Sequence, residues 1–159
     1  MDPSDSRIEV KLVISYRYRM VRNMVLTTSK IDELLDNAKL RHTKQRAQIA
    51  KLLFKVENRH FTAEQLHQEA RTTGYTISLA TIYNTLHQFR SAGLLRQVIV
   101  EPGKVYFDTN TEPHHHFYIE DDGELLDVER KEVKISTLPE IPKDCNIQEM
   151  DVIIRLRKK

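Results

Sequence analysis

The stretch SLATIYNTLHQFRSAG, residues 78–93, constrains the fold of this chain more than any other. Placed on a helix, Leu79, Ile82, Leu86 and Phe89 follow one another at spacings of three, four and three, which makes one apolar face. Ser78 offers a hydroxyl that can accept from an otherwise unpaired amide, and Gly93 supplies the stop. The exposed first turns then carry Ala80, Thr81, Tyr83 and Asn84. Small groups, a hydroxyl, an aromatic and an amide at the front of a docked helix suit the reading of base edges in a major groove. An amphipathic core helix with an incidental polar front has the same pattern, so the flanking segments decide.

Upstream, residues 30–39 read as a short helix with Ser29 as cap and Ile31, Leu34, Leu35 and Ala38 on one side. In LRHTKQRAQIAKLLFKV, Thr43 can cap a helix whose Ile49, Leu52, Leu53 and Val56 form the inner stripe, with Arg41, Lys44 and Arg46 crowded at its start. Residues 58–60 read as a turn. Thr62 to Gln65 has the capping-box spacing that opens a third helix, ending near Gly74. Three helices followed by residues 78–93 make a helix-turn-helix arrangement in which the last helix is the exposed reader. LLRQVIVEPGKVYFD then reads as two strands about a Pro102-Gly103 type II turn. A hairpin in that position is a wing, and Lys104 at its tip can reach a phosphate, which fixes register without reading sequence. A plain surface lysine is the competing reading of that residue.

The total charge of +2 conceals an asymmetry. Residues 1–110 carry 17 Lys and Arg against 11 Asp and Glu, whereas residues 111–159 carry 8 against 12. A basic front and an acidic rear imply a polyanionic partner for the front alone. In the rear, strands are expected at 116–119, 124–128 and 151–156, and Pro139 and Pro142 exclude a long helix across 136–142. So few apolar side chains make a poor independent core, which pairing with a second copy would complete. Residues 1–29 are ambiguous. Alternation from Ile8 to Met20 suits an extra strand, a basic arm on DNA phosphates, or an upstream reading of the start at Met20 or Met24. The charges of Arg17, Arg19 and Arg22 follow the apolar residues, unlike those of a signal peptide. No run approaches the roughly 18 apolar residues of a membrane span. The single Cys145 excludes an intrachain disulfide and a Cys-x-x-Cys clamp, and a cytoplasmic location is expected.

His114, His115 and His116 lie directly after the wing. Imidazole donors suit Fe, Mn, Zn, Ni or Cu, and carboxylates shift the preference toward Mn and Fe. Along a strand, His114 and His116 point to one face and His115 to the other, so the triplet does not bind one ion as a block. It can offer ligands on either face or an axial ligand to haem. A solvated polar loop is the bland alternative; nearby Asp108 and Asp127, and His60 at the start of a helix, weigh against it. No H-E-x-x-H, G-x-S-x-G or glycine-rich phosphate loop occurs, and Cys145 has no evident histidine partner, so no enzyme is expected.

The segments LRHTKQRAQIAKLLF, HFTAEQLHQEA, SLATIYNTLHQFRSAGLL and YFDTN followed by HHHFY resemble the ferric uptake regulator family of bacterial metal-responsive transcription factors, over residues 30–159. HHHFYIEDDGELLDVE, the missing Cys-x-x-Cys pairs and the ending DVIIRLRKK look most like its iron-response regulator branch. The resemblance implies an α+β chain. Residues 30–109 would be a winged-helix DNA-binding domain and residues 110–159 a small α/β domain for dimerisation and ligand sensing, behind an N-terminal extension. It implies a homodimer on AT-rich, imperfect inverted repeats, with Tyr83 at thymines, Asn84 beside it and Arg41 in the minor groove; Ser78, Thr81 and Lys104 complete the expected DNA-binding set. The family's regulatory metal site maps onto His60, Asp108, His116 and Asp127, with Asp108 shorter than the usual Glu. A further family histidine maps onto Tyr118, a departure. Of the second metal site only His115 is kept, with Phe117 and Met150 in place of ligands, and the four-cysteine structural zinc is absent. The iron-response branch implies haem on His114, His115 and His116, although a Cys-Pro haem motif is missing because Asn146 follows Cys145. Such a regulator would occupy operators when iron is scarce and leave them when haem binds. The alternatives are a regulator that needs Mn²⁺ or Fe²⁺ (Zn²⁺ being a further candidate), and a metal-handling or storage protein without an operator.

Overall fold

The computed structural model describes residues 27–56 and 58–159, so the expectations for the N-terminal extension lie outside it, apart from its last residues. The chain divides into two compact units, one ending at Thr111 and the other starting at Glu112.

The first unit contains helices α1 (Thr28–Asn37), α2 (Lys44–Leu53), α3 (Ala63–Thr72) and α4 (Leu79–Ser91), and strands β1 (His60–Phe61), β2 (Arg96–Glu101) and β3 (Lys104–Asp108). Each of the last three helices starts where a side chain satisfies an amide that the helix itself cannot. Thr43 Oγ1 accepts from the Arg46 amide at 3.2 Å and Ser78 Oγ from the Thr81 amide at 3.1 Å. Thr62 and Gln65 make the reciprocal box, with distances of 3.3 and 2.8 Å. Helix α1 differs from expectation. It begins at Thr28 behind Thr27, without a side-chain cap, and Ser29 lies inside its first turn with its hydroxyl 2.9 Å from that of Thr27.

Three helices end in one motif, in which the residue after the cap turns left-handed and two amides bond back to the last turn. Gly74 (φ 84°) and Gly93 (φ 76°) serve α3 and α4, but Lys39 (φ 55°) serves α1. The bonds of that third case run from the Lys39 amide to Asp36 O at 2.9 Å and from the Leu40 amide to Leu35 O at 2.8 Å.

Ile31, Leu35, Ile49, Leu53, Leu66, Ile82, Leu86 and Phe89 fill the interior between the helices. Val56, expected in that stripe, lies beyond the end of α2 and is 55% exposed. The turn expected at residues 58–60 is also shorter than its bounds, because His60 already belongs to β1. That strand pairs antiparallel with β3, His60 opposite Asp108 and Phe61 opposite Phe107, and gives a sheet of order β1-β3-β2. Arg59 fastens the joint. Its amide donates to Thr109 Oγ1 at 3.0 Å, and its guanidinium donates to Leu52 O at 3.0 Å and Glu69 Oε2 at 2.7 Å. Burial raises the Glu69 pKa, but the bonds from Arg59 and Lys55 outweigh that and leave it below the ordinary carboxylate range.

The second unit is a three-stranded sheet of order β5-β4-β6, with β4 at His115–Ile119, β5 at Glu124–Val128 and β6 at Ile153–Leu156. Strand β4 runs antiparallel to β5 and parallel to β6. A parallel pair demands a long crossover. Here that crossover is irregular apart from one 3₁₀ turn, Arg130–Glu132, as the two prolines require. Tyr118, Leu125 and Val128 are buried, while Leu126, Ile135, Leu138, Ile141, Ile147 and Leu156 are exposed.

A lysine in the left-handed region is strained by its Cβ. Lys39→Gly is therefore expected to raise the stability of the first unit by about 0.5–1 kcal/mol, net of the extra chain entropy of glycine. A urea midpoint that rises at constant slope checks this.

Candidate DNA-reading face and histidine cluster

Helix α4 buries Ile82, Thr85, Leu86 and Phe89, so the polar residues of its first turns fall on the other side. Ser78 and Thr81 bond to each other, hydroxyl to hydroxyl, at 2.8 Å. Asn84 is exposed and Tyr83 is half-buried. The Tyr83 hydroxyl donates to Glu64 Oε1 at 2.6 Å, and its ring stacks on His87 with centroids 6.3 Å apart. The hydrogen bond from Tyr83 holds the Glu64 carboxyl below its ordinary range, and the same bond lifts the Tyr83 phenol.

Arg41 is exposed in the connection between α1 and α2. Its carbonyl accepts from the Arg46 guanidinium, which also donates through Nε to Gln88 Oε1 at 3.0 Å. Arg46 therefore ties the Arg41 loop and α2 to α4. Lys104, at the wing tip, pairs with Glu101 at 3.6 Å, and Gly103 between them takes φ 81°. The bonds from Tyr83 to Glu64 and from Arg46 to Gln88 did not emerge from the sequence, because the partners lie 19 and 42 residues apart. No local spacing signals such pairs.

The histidines and carboxylates form a set in each unit. In the first, the β1–β3 register places His60 Nε2 at 3.7 Å from Asp108 Oδ2. Asp108 is wholly buried, and its other oxygen accepts from the Asn110 amide at 2.7 Å. In the second, the register sets His116 opposite Asp127. His114 Nε2 lies 3.0 Å from His116 Nε2 and 3.3 Å from Asp127 Oδ1. His114 Nδ1 lies 2.7 Å from Glu112 O, and a carbonyl can only accept. The Nδ1 proton is thus committed, and in the neutral ring the Nε2 lone pair faces His116 and Asp127.

This arrangement suits a cation. Ligand histidines characteristically donate their second ring nitrogen to a carbonyl or carboxylate. Donors on one ion with bonds of about 2.0–2.1 Å stand roughly 3–3.5 Å apart, which matches the distances from His114 Nε2 to His116 and to Asp127. His115 has a different task. Its Nδ1 accepts from the Val152 amide at 3.3 Å and so helps join β4 to the start of β6. Burial pushes the His115 imidazole below its ordinary pKa, with Asp151 opposing.

Tyr118, where the resemblance placed a further ligand, is buried with the Arg155 guanidinium 5.8 Å from its ring centre. The histidine that approaches His116 is His114, two residues before it, and the metal set expected from sequence omitted it. Alternation along β4 could have found it, since residues 114 and 116 share a face.

Residues 37–156 match the model of the ferric uptake regulator family. The ferric uptake regulation protein of Vibrio anguillarum is 34% identical over 118 residues, 74% of this chain and 78% of that protein. Its counterpart in Pseudomonas aeruginosa is 30% identical over 128 residues, 79% of this chain and 95% of the relative. Among solved structures, the Vibrio cholerae ferric uptake regulator is similar with a TM-score of 0.64 at 26% identity, over 80% of this chain and 98% of that one. The Pseudomonas aeruginosa ferric uptake regulator with manganese gives 0.61 at 24% identity, over 80% and 97%, a likeness that bears on the fold alone. Among the described residues, no helix is long and apolar enough to cross a membrane. With the family model matched over most of its length, this chain belongs to the ferric uptake regulator family.

Proposed function

We propose that the protein is a dimeric transcriptional regulator that reads AT-rich inverted-repeat operators through α4 and the β2–β3 wing. In this reading divalent metal controls it, with His60 and Asp108 as candidate ligands in the first unit and His114, His116 and Asp127 in the second. The family as a whole consists of metal-responsive, DNA-binding regulators and not of enzymes. The observation that carries the reading is the polar front of α4, with Ser78, Thr81, Tyr83 and Asn84 on a helix whose opposite side is core. Arg41 and Lys104 supply cationic contacts to the DNA backbone and grooves on either side of it in sequence.

The proposed ligands are three imidazoles and two carboxylates, a nitrogen-oxygen set that suits Mn²⁺ or Fe²⁺ and also admits Zn²⁺. When bound, a divalent ion would offset the charge of the carboxylate that holds it and favour the conformation with its ligands in place, which couples metal to DNA affinity. Haem on His114, His115 and His116 rests on the resemblance to the iron-response branch. The geometry favours it less. His114 and His116 are 6% and 0% exposed with ring nitrogens turned toward each other, and His115 Nδ1 is engaged by Val152. An axial ligand must instead aim a nitrogen at an open porphyrin face.

A gel shift on an AT-rich inverted repeat, with Mn²⁺, haem or chelator, tests the whole reading. Binding with Mn²⁺ that chelator reverses is expected. Metal uptake without a shift in any lane would turn the protein into the metal-handling alternative, and release by haem with a Soret change would restore the haem reading. Tyr83→Ala is expected to weaken operator binding by about 1–3 kcal/mol, the range for a base contact, while the dimer persists by light scattering. Lys104→Ala should lower the slope of log affinity against log salt by about one and leave sequence preference intact. His114→Ala should reduce Mn²⁺ affinity by at least about tenfold in calorimetry; an unchanged isotherm would remove His114 from the site.

A further inference from the structure

The contact between Tyr83 and Glu64 goes beyond holding two helices together. The Tyr83 phenol is fixed at both ends, its ring lying at 23° to that of His87 one turn further along α4 and its hydroxyl at 2.6 Å from Glu64. Glu64 is itself well anchored. It is the second residue of α3, in the turn that the Thr62–Gln65 box closes, where the partial positive charge of a helix start favours a carboxylate. Glu64 is exposed and ionised at neutral pH, so nothing about the fold of α3 requires it to face Tyr83.

A phenol has one proton. Since Glu64 accepts it, Tyr83 meets a groove with ring edges, an oxygen lone pair and a carboxylate close behind, and without a donor. The major-groove edges answer differently to such a group. Guanine shows two acceptors, N7 and O6, which a lone pair and a negative charge repel. A G·C pair also shows the cytosine N4 donor, and an A·T pair the acceptors adenine N7 and thymine O4. Only guanine, however, places two acceptors side by side on one base, and only thymine adds a methyl group against which the ring edge can pack, next to the adenine N6 donor that the phenol oxygen can accept from.

We propose that Glu64 is a positioning residue for base reading: by engaging the Tyr83 hydroxyl proton it removes the donor from which guanine N7 or O6 would accept and so biases the helix toward A·T pairs. This rests on α4 being the DNA-reading helix. The prediction has a direction that a structural role lacks. Freeing the phenol proton lets Tyr83 donate to guanine N7 or O6, so losing Glu64 should relax the preference toward G·C and not merely weaken binding.

The test uses the full chain with Mn²⁺ and a pool of randomised duplexes, followed by affinities on the enriched duplex and on its single-base-pair variants. The position whose preference changes in Tyr83→Phe is the one that Tyr83 reads. There, Glu64→Ala should reduce the preference for A·T over G·C by about fivefold or more, within the range for a base contact. Glu64→Gln keeps an acceptor oxygen and should stay within about twofold of wild type. In a Tyr83→Phe background, Glu64→Ala should change that preference no further. Unaltered melting of each variant keeps folding out of the comparison. If Glu64→Ala scales affinity for all duplexes equally, or acts as strongly without the Tyr83 hydroxyl, the positioning role is overturned. If wild type enriches no sequence, the DNA-reading assignment itself falls and takes this role with it.

Discussion

The two-residue strand His60–Phe61 is the joint on which the first unit depends. Most of the contact among the helices and the hairpin is apolar, which is not directional. Strand β1 adds direction by pairing with β3, and Arg59 at its threshold reaches the last turn of α2, the middle of α3 and the end of β3. Phe61 stacks on Phe107 with centroids 5.9 Å apart, and the Arg59 guanidinium lies 5.2 Å from the Phe61 ring centre. Because Glu69 answers both Arg59 and Lys55, the charge brought inward is compensated. The same pairing fixes the place of Asp108. A wholly buried carboxylate is costly unless hydrogen bonds or an opposite charge offset it. The Asn110 amide meets one oxygen, and the register turns the other toward His60. The joint that links α2, α3 and β3 therefore also places two of the five proposed metal ligands, His60 and Asp108.

The second unit arranges its histidines by the two-residue period of a strand. His114 and His116 share one side and His115 takes the other, where a backbone amide occupies it. What turns the His114 ring is its position just before β4, where Glu112 O captures Nδ1 and leaves Nε2 to face His116. Tyr118 keeps the parity of His116 but stands opposite the buried Leu125, so its hydrophobic body suits packing. Spacing within a family pattern aligned Tyr118 with a ligand; strand parity together with the Glu112 carbonyl acceptor points to His114.

Local chemistry made much of this molecule legible. Thr43, the Thr62–Gln65 box and Ser78 each act within three residues, and each is seen as a cap. Gly103 and Gly93 mark turns that only a positive φ can make. The misses share another cause. Strand β1 is too short to show a period, and α1 ends at Lys39 where composition offers no glycine to mark the turn. Val56 continues an apolar stripe past the point where α2 stops. The links from Arg46 to Gln88 and from Tyr83 to Glu64 are created by packing between helices, which one-dimensional spacing does not encode.

Charge and apolar surface divide the work of the second unit in a way that bears on its assembly. Arg157 and Lys158 pair with Glu120 and Asp122 at 2.7 Å each, and the Lys158 amide donates to Asp121 at 2.8 Å, so the chain end is fastened to the β4–β5 turn. Exposed pairs of this kind contribute little stability each and mainly fix where the tail runs. Stability must come from burial, yet Leu126 on β5, Leu156 on β6 and four isoleucines and leucines of the crossover remain exposed. Six such side chains returned from water at about 1.5–3 kcal/mol apiece would exceed what the surface ion pairs can provide. A family whose members act as dimers supplies the natural cover in a second copy of the same surface. Sheet and ligand set are then stabilised together, since the strand that carries His115 and His116 is the central one.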